Sequence, residues 1–189
     1  MSALMQTYAR LPVTFSHGEG VYLYDTEGRR YLDGISGIAV NGLGHAHPAL
    51  VAALTDQAQN LWHVSNLYQI PQQQALADKL VDDSFADTVF FTNSGSEAND
   101  TNIRIVHRYF DLKGQPEKKH IISRKNAYHG STMAGASLGG MGYMHSQGGL
   151  PIPDIVHIEQ PYHYDLGPTE DRDAFGIKAA GWLEAKILE

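Results

Sequence analysis

The apolar and polar positions near the start of the chain alternate in the way that predicts a β-hairpin. Residues 20–25 carry aromatic and β-branched side chains, a polar turn with a glycine follows at residues 26–29, and the alternation resumes at residues 30–33. Residues 34–44 are rich in glycine, so we expect them to be irregular.

Two helices are predicted next. Pro48 suits the first position of a helix, and apolar residues follow it at helical spacing, namely Leu50, Val51, Leu54, Ala58 and Leu61. A second helix is expected from about Gln72 to Val81, directly behind Pro71.

From residue 86 onward, predicted strands and helices alternate. Residues 86–91 are short, apolar and bounded by polar residues, which predicts a buried strand, and two more strands are expected at residues 121–122 and 154–159. Helices are expected at residues 97–112, at residues 131–138 and around residues 175–187, with a flexible loop at residues 139–149. This alternation predicts a mainly parallel α/β sheet, and the early hairpin then belongs to a separate N-terminal segment.

Composition and charge narrow the class of protein. The net charge is −7, which argues against nucleic acid or an anionic membrane as a partner, and no apolar run of about 18 residues could span a bilayer. Cysteine is absent and the start does not resemble a signal peptide, so a cytoplasmic location is expected. His45 and His47 flank an alanine, but no third ligand has matching spacing, so we expect no metal site.

The turn before the helix at residues 97–112 has the composition of an anion site. Ser94, Gly95 and Ser96 are small, so backbone N–H groups there can approach a ligand closely. The first N–H groups of a helix are unpaired and carry a partial positive charge, which suits a phosphate. The alternative is an ordinary strand–turn–helix in which Ser94 is only the N-cap.

A second candidate segment, residues 126–132, follows the strand predicted at residues 121–122. Ligands collect at the carboxyl ends of parallel strands, so we expect this segment and the Ser94–Ser96 turn to face the same crevice. The ring of Tyr128 could stack on a flat cofactor. Alternatively, Tyr128 is a half-buried loop aromatic and His129 only packs the loop.

These two segments carry a resemblance to a known family. Ser-Gly-Ser-Glu-Ala-Asn-Asp at residues 94–100 and Tyr-His-Gly-Ser-Thr at residues 128–132 resemble the class III pyridoxal-phosphate-dependent aminotransferases. Gly-His-Ala-His-Pro at residues 44–48 is similar to the N-terminal part of that family, and the resemblance runs over essentially the whole chain. It implies a fold-type I transferase, with a small-domain segment at residues 1–44 and part of the large cofactor-binding domain at residues 45–189.

The resemblance also implies roles for single residues. Pyridoxal 5′-phosphate is the implied cofactor, and its phosphate is held by Ser94, Gly95 and Ser96, with the N–H groups of Gly95 and Ser96 as the main donors. Tyr128 stacks on the pyridine ring, and His129 and Gly130 shape the same wall. The implied substrates are a small amine donor and a 2-oxo acid acceptor, and members of the family are homodimers.

The two halves of the chain resemble different subfamilies. Residues 1–91 are similar to acetylornithine aminotransferases, and residues 92–189 to enzymes that transfer an amino group from diamines such as putrescine to pyruvate. Acetylornithine enzymes have an arginine after the His-Gly pair, where this chain has Ser131, and serine cannot make the bidentate contact with a carboxylate that arginine makes. Ser131 therefore favours a diamine or ω-amino acid as donor. Acetylornithine with 2-oxoglutarate is the alternative.

The amine pocket has two further candidates in the first half, Trp62 and Tyr68. Core or dimer packing is the alternative explanation for both.

The resemblance places two catalytic groups outside this sequence. In the family, a lysine forms a Schiff base with the cofactor and an aspartate pairs with the pyridine nitrogen, and both follow the part that this chain resembles. None of the seven lysines here has the sequence context of the family's lysine. We therefore expect no catalytic residue among these residues and no transamination by the isolated chain. A cofactor-binding or interaction fragment without catalysis is the non-enzymatic alternative.

Overall fold

The computed structural model describes residues 3–189, which form two compact units, one ending at Asp83 and the other running from Ser84 to Glu189. Among these residues, no helix is both long enough and apolar enough to cross a membrane. The domain boundary at residues 44 and 45 concerns the two domains of the resembled family, and it stays a prediction.

The first unit begins with an antiparallel sheet. Strands β1 (Phe15–Glu19), β2 (Tyr22–Asp25) and β3 (Arg30–Leu32) are hydrogen-bonded in that order. The pairing of Tyr22 with Leu32 and of Tyr24 with Arg30 confirms the predicted hairpin. Strand β1 was not expected from the sequence.

The turn of this hairpin is organised by Asp25, whose side chain is buried. One carboxylate oxygen accepts the N–H groups of Glu27 and Arg29, each at 2.9 Å. The other accepts Arg29 Nε at 2.7 Å and the Tyr31 hydroxyl at 3.0 Å. Burial alone raises the pKa of Asp25, but the hydrogen bonds from Arg29, Tyr31 and Glu27 outweigh it and lower the pKa from 3.8 to about 2.

The glycine-rich segment after β3 is held by a second aspartate. It contains one left-handed turn, α1 (Ser36–Ala39). Asp33 accepts the Ser36 N–H at 2.8 Å and lies 2.7 Å from Nε2 of His45, and these contacts lower its pKa. Nδ1 of His45 lies 3.0 Å from Asn41, so its imidazole has structural partners on both nitrogens. No cluster of three or more possible metal ligands occurs in residues 3–189.

Helices α2 (Pro48–Asn60) and α3 (Pro71–Asp82) complete the first unit. Each begins at a proline, whose fixed φ and missing N–H suit the first helical position. Both helices were predicted with nearly these bounds.

The second unit contains α4 (Gly95–Leu112), β4 (Ile121–Arg124), α5 (Met133–Leu138), α6 (Gly142–His145), β5 (Ile155–Ile158), α7 (His163–Leu166) and α8 (Arg172–Leu188). Strands β4 and β5 are parallel, with Ile121 opposite Ile155 and Arg124 opposite Ile158. This pairing confirms the predicted parallel α/β arrangement. The buried apolar residues lie on α5, β5 and α8, namely Ala136, Leu138, Ile155, Phe175 and Ala179.

Two predictions in this unit were wrong. Residues 86–91 form no strand, and Phe90 is 73% exposed rather than buried. An extended segment becomes a strand only when another strand accepts and donates its backbone hydrogen bonds, and none of the described residues pairs with this one. The loop expected at residues 139–149 contains the short helix α6 and is tightly packed at its start, around Gly139 and Gly140.

Candidate functional site

The first turn of α4 is fixed by two reciprocal hydrogen bonds. Ser94 has an extended backbone, and its hydroxyl accepts the Glu97 N–H at 3.2 Å. The Glu97 carboxylate reaches back and accepts the Asn93 N–H at 2.8 Å. This arrangement satisfies two backbone donors around the turn, as in a capping box. Ser94 is therefore a true N-cap, the role given above as the alternative to an anion site.

The cap leaves the next two donors of the helix free. Within residues 3–189, nothing accepts a hydrogen bond from the N–H groups of Gly95 and Ser96. Ser94 and Gly95 are exposed and Ser96 is half-buried, so a ligand can reach these groups. Unpaired N–H groups at the positive end of an 18-residue helix provide the donors that a phosphate requires.

The segment that carries Tyr128 leaves the carboxyl end of β4 and is held there by Gly140. The Asn126 N–H donates to the Gly140 carbonyl, and the Gly140 N–H donates to the Ala127 carbonyl, each at 3.0 Å. A Cβ atom at position 140 would lie 2.2 Å from the Arg124 carbonyl oxygen. Only glycine allows this approach, and it fixes where the segment starts.

The structure brings the two candidate segments into contact. Gly130 is buried with φ of +127°, and a Cβ atom built on it would lie 2.2 Å from Oγ of Ser96. Nδ2 of Asn99 donates to the His129 carbonyl at 2.9 Å. Oγ1 of Thr132 donates to Oδ1 of Asp100 at 2.8 Å. The Ser94–Ser96 turn and residues 129–132 thus form one junction, which we call the α4 junction.

Tyr128 and Ser131 border this junction with free side chains. The Tyr128 ring is 64% exposed, and Ser131 is exposed. Neither side chain has a hydrogen-bond partner in the described part of the chain, and Tyr128 has no ring partner there. Both are therefore available to a ligand. In the first unit, Trp62 and Tyr68 are 87% and 68% exposed, so neither is packed in a core within that unit.

Three residues that hold the α4 junction in place received no role from the sequence, namely Asn99, Asp100 and Gly140. For Asn99 and Asp100, the sequence did contain a signal in their spacing from Ser96. Asn99 and Asp100 follow Ser96 by three and four residues, the spacing that puts side chains on one face of a helix. Asn99 and His129 also line a cavity of about 460 Å³ between α4 and β4.

Six of the seven lysines have side-chain partners away from the α4 junction. Ion pairs join Lys79 to Asp83, Lys125 to Glu159, Lys178 to Glu170 and Lys186 to Glu189. The ammonium groups of Lys113 and Lys118 lie over the rings of Tyr109 and Phe110 on α4.

Comparison with known proteins connects this geometry to a family. The family described as Aminotransferase class-III matches residues 4–187. Acetylornithine aminotransferase of Rhodobacter capsulatus is 49% identical over 180 residues, which are 95% of this chain and 43% of that protein. Putrescine–pyruvate aminotransferase of Pseudomonas aeruginosa is 48% identical over 175 residues, 90% of this chain and 38% of that protein.

Solved structures agree. The ω-transaminase of Pseudomonas jessenii in complex with PMP superposes with a TM-score of 0.88 at 36% identity, covering all of this chain and 44% of that one. An ω-aminotransferase of Paracoccus denitrificans gives 0.87 at 35% identity. The chain spans less than half the length of these relatives, and over nearly its whole length both sequence and fold match theirs. It belongs to the class III aminotransferase family.

Proposed function

We propose that this chain supplies the cofactor-phosphate site of a pyridoxal-phosphate-dependent aminotransferase that transfers an amino group from a diamine or ω-amino acid to pyruvate. One observation carries the proposal. The free N–H groups of Gly95 and Ser96 lie at the α4 junction, where Gly130 packs against Ser96, and the Tyr128 ring is exposed two residues before Gly130.

The residues present fit the proposed cofactor. Its phosphate is a dianion that accepts hydrogen bonds, and the start of α4 offers two unpaired donors in a positive field. Its pyridine ring is flat and aromatic, and Tyr128 offers an exposed ring of matching shape. Gly130 has no side chain to obstruct a ligand in contact with Ser96.

When bound, pyridoxal phosphate supplies the electron sink for the carbon that loses its amino group. The residues of this chain would bind and orient it. Gly95 and Ser96 would hold the phosphate, Tyr128 would cover one face of the ring, and His129 and Gly130 would form the wall beside it.

The choice of amine donor rests on Ser131. Its exposed hydroxyl lies next to Gly130 and carries no charge, so it offers a carboxylate a single hydrogen bond and not the bidentate ion pair that arginine offers. This favours a donor without a carboxylate at that end, such as a diamine. The putrescine–pyruvate relative supports this donor class.

Acetylornithine with 2-oxoglutarate is the second candidate, and a specific observation favours it. An acetylornithine aminotransferase of Mesorhizobium japonicum is 56% identical over 139 residues, a higher identity than that of the putrescine relative. A donor site has more than one lining residue, so the higher identity supports this second donor.

The cofactor site is tested by titrating the chain with pyridoxamine 5′-phosphate, which has no aldehyde and so cannot react with any lysine. Pyridoxamine, which has the same ring without the phosphate, is the matched control. We expect saturable binding of the phosphate ester and binding of pyridoxamine that is at least about tenfold weaker. Equal affinities for the two ligands would refute a phosphate site at α4.

The donor is tested on an active preparation that carries this sequence together with the family's Schiff-base lysine, by measuring deamination of putrescine with pyruvate and of acetylornithine with 2-oxoglutarate. A preference for the second pair would replace the diamine assignment. Binding of pyridoxamine 5′-phosphate without turnover of either pair would favour a cofactor-binding chain without catalysis. The homodimer implied by the family is part of the same proposal, and sedimentation equilibrium of the protein checks it.

A further inference from the structure

Two hydrogen bonds in the α4 junction involve neither the N–H groups proposed to bind the phosphate nor the Tyr128 ring. Asn99 Nδ2 donates to the His129 carbonyl at 2.9 Å, and Thr132 Oγ1 donates to Asp100 Oδ1 at 2.8 Å. Their partners lie 30 and 32 residues apart in the sequence, and they attach at the two sides of Gly130 and Ser131. We propose that Asn99 and Asp100 are positioning residues, which hold the Tyr128–Ser131 segment on the first turns of α4.

The need for such restraints follows from Gly130. Its φ of +127° and its contact with Ser96 require glycine, and glycine loses the most conformational entropy when a single backbone conformation is fixed. Restraints on His129 and Thr132, on either side of Gly130, limit that freedom without adding a side chain to the crevice. Asn99 holds the residue before Gly130, and Asp100 holds the segment two residues after it.

The hydrogen bond from Thr132 to Asp100 also links two helices. The Thr132 hydroxyl donates its one proton to Asp100, so the lone pairs of its oxygen remain available to accept a hydrogen bond. It accepts the Gly135 N–H at 3.0 Å, which makes Thr132 the N-cap of α5. Asp100 therefore connects the start of α4 to the start of α5 through one hydroxyl group, and the bond is charge-assisted.

The inference rests on the proposed function, because what is positioned is the wall beside the cofactor phosphate. The binding of two ligands should therefore depend differently on Asn99 and Asp100. Inorganic phosphate needs only the N–H groups of Gly95 and Ser96, which belong to α4. Pyridoxamine 5′-phosphate also needs Tyr128 and Gly130 in place, so only its binding depends on Asn99 and Asp100.

The test uses Asn99→Ala and Asp100→Ala in the full chain. Asn102→Ala and Asp111→Ala are matched controls. They remove an asparagine and an aspartate side chain from the same helix, and within residues 3–189 neither side chain makes a hydrogen bond. The first measurement, without ligand, is the backbone ¹⁵N order parameter of the Tyr128–Ser131 amides. We expect about 0.85 in the wild type and controls and below about 0.6 in the two variants. Unchanged order parameters in both variants would overturn the inference.

The second measurement compares the two ligands. We expect the affinity for pyridoxamine 5′-phosphate to fall about tenfold in each variant while that for inorganic phosphate changes less than about twofold. Asp100→Asn keeps an oxygen acceptor for Thr132 and should restore most of the lost affinity. Parallel loss of both ligands would mean general damage to α4 and would contradict a positioning role.

The two proposals fail in different ways. A wild-type chain that binds neither ligand refutes the proposed function, while the order parameters still decide whether Asn99 and Asp100 hold the segment. Should Asp100→Ala fail to fold, Asn99→Ala alone carries the first measurement. It removes the hydrogen bond to the His129 carbonyl, so a lower order parameter at His129 supports the inference and an unchanged one contradicts it.

Discussion

Gly130 lies against Ser96 so closely that a Cβ atom at position 130 would be 2.2 Å from the serine Oγ and 2.8 Å from its Cβ. The two residues come from segments that the sequence singled out for different reasons, one as an anion-binding turn and the other as a possible aromatic wall. Their contact turns two moderate signals into one candidate site. It also means that even one added methyl group at position 130 must displace Ser96.

The first prediction concerns Gly130→Ala. The added methyl group meets Ser96, and φ of +127° is unfavourable for any residue with a Cβ, so we expect the free energy of unfolding to fall by at least about 2 kcal/mol. Gly142→Ala is the control, because a Cβ atom there meets nothing within 4 Å. Urea unfolding of both variants measures the difference, and equal stability of the two would show that the junction is not formed in solution.

The local structure of the second unit could largely be predicted from the sequence, and the limits are instructive. Helix α4 was expected over residues 97–112 and begins at Gly95, where Ser94 and Glu97 form a capping pair that depends only on neighbouring residues. The strand at residues 86–91 was wrong because apolar composition describes a segment, whereas a strand depends on a partner elsewhere in the chain.

Contacts distant in sequence were the least predictable part of the site. The order of the two motifs and the rule for parallel sheets indicated that they face one crevice. Nothing local indicated that Asn99 would reach the His129 carbonyl or that Gly140 would hold the segment after β4. Such contacts depend on how the loops pack after the strands have paired, which side-chain spacing alone does not determine.

The second prediction separates the two roles discussed for Ser94. Ser94→Asp keeps an oxygen that caps the helix, so the free energy of unfolding should stay within about 0.5 kcal/mol of the wild type. The new negative charge repels an anion at Gly95 and Ser96, so binding of inorganic phosphate should weaken at least about tenfold. Calorimetric titration and urea unfolding give the two values.

The matched variant for this test is Ser94→Ala. It removes the cap without adding charge, so it should cost about 1 kcal/mol of stability and change phosphate affinity far less than the aspartate does. If both variants bound phosphate like the wild type, the N–H groups of α4 would not be the anion site.

The third prediction tests the donor assignment through Ser131→Arg. A guanidinium group at this exposed position can grip a carboxylate with two parallel hydrogen bonds, which the serine hydroxyl cannot do. In an active preparation carrying this sequence, the ratio of kcat/KM for acetylornithine to that for putrescine should rise about tenfold or more. Ser131→Gln, which is long but uncharged, controls for side-chain size. An unchanged ratio would show that the donor carboxylate does not approach residue 131.

The last prediction concerns acid stability and the buried carboxylate of Asp25. Its pKa is lowered from 3.8 to about 2 in the folded chain, so the unfolded chain binds the proton more readily. The stability contributed by the carboxylate is therefore fully present above pH 3.8 and is lost as the pH falls from 3.8 towards about 2. Asp25→Asn loses the ionic bond with Arg29 at every pH, so it should be less stable than the wild type at pH 7.

The difference in the free energy of unfolding between the wild type and Asp25→Asn should depend on pH, and this dependence identifies the charge of Asp25 as its source. Urea unfolding at pH 7 and at several values between 4 and about 2 should show the wild type approaching the variant as the acid protonates Asp25. Asp56→Asn is the control, because Asp56 is exposed on α2 and its side chain makes no hydrogen bond within residues 3–189. It should follow the wild-type curve throughout. A constant gap between wild type and Asp25→Asn across this range would mean that the hairpin turn does not depend on the charge of Asp25, and that the four hydrogen bonds to its oxygens act only through their geometry.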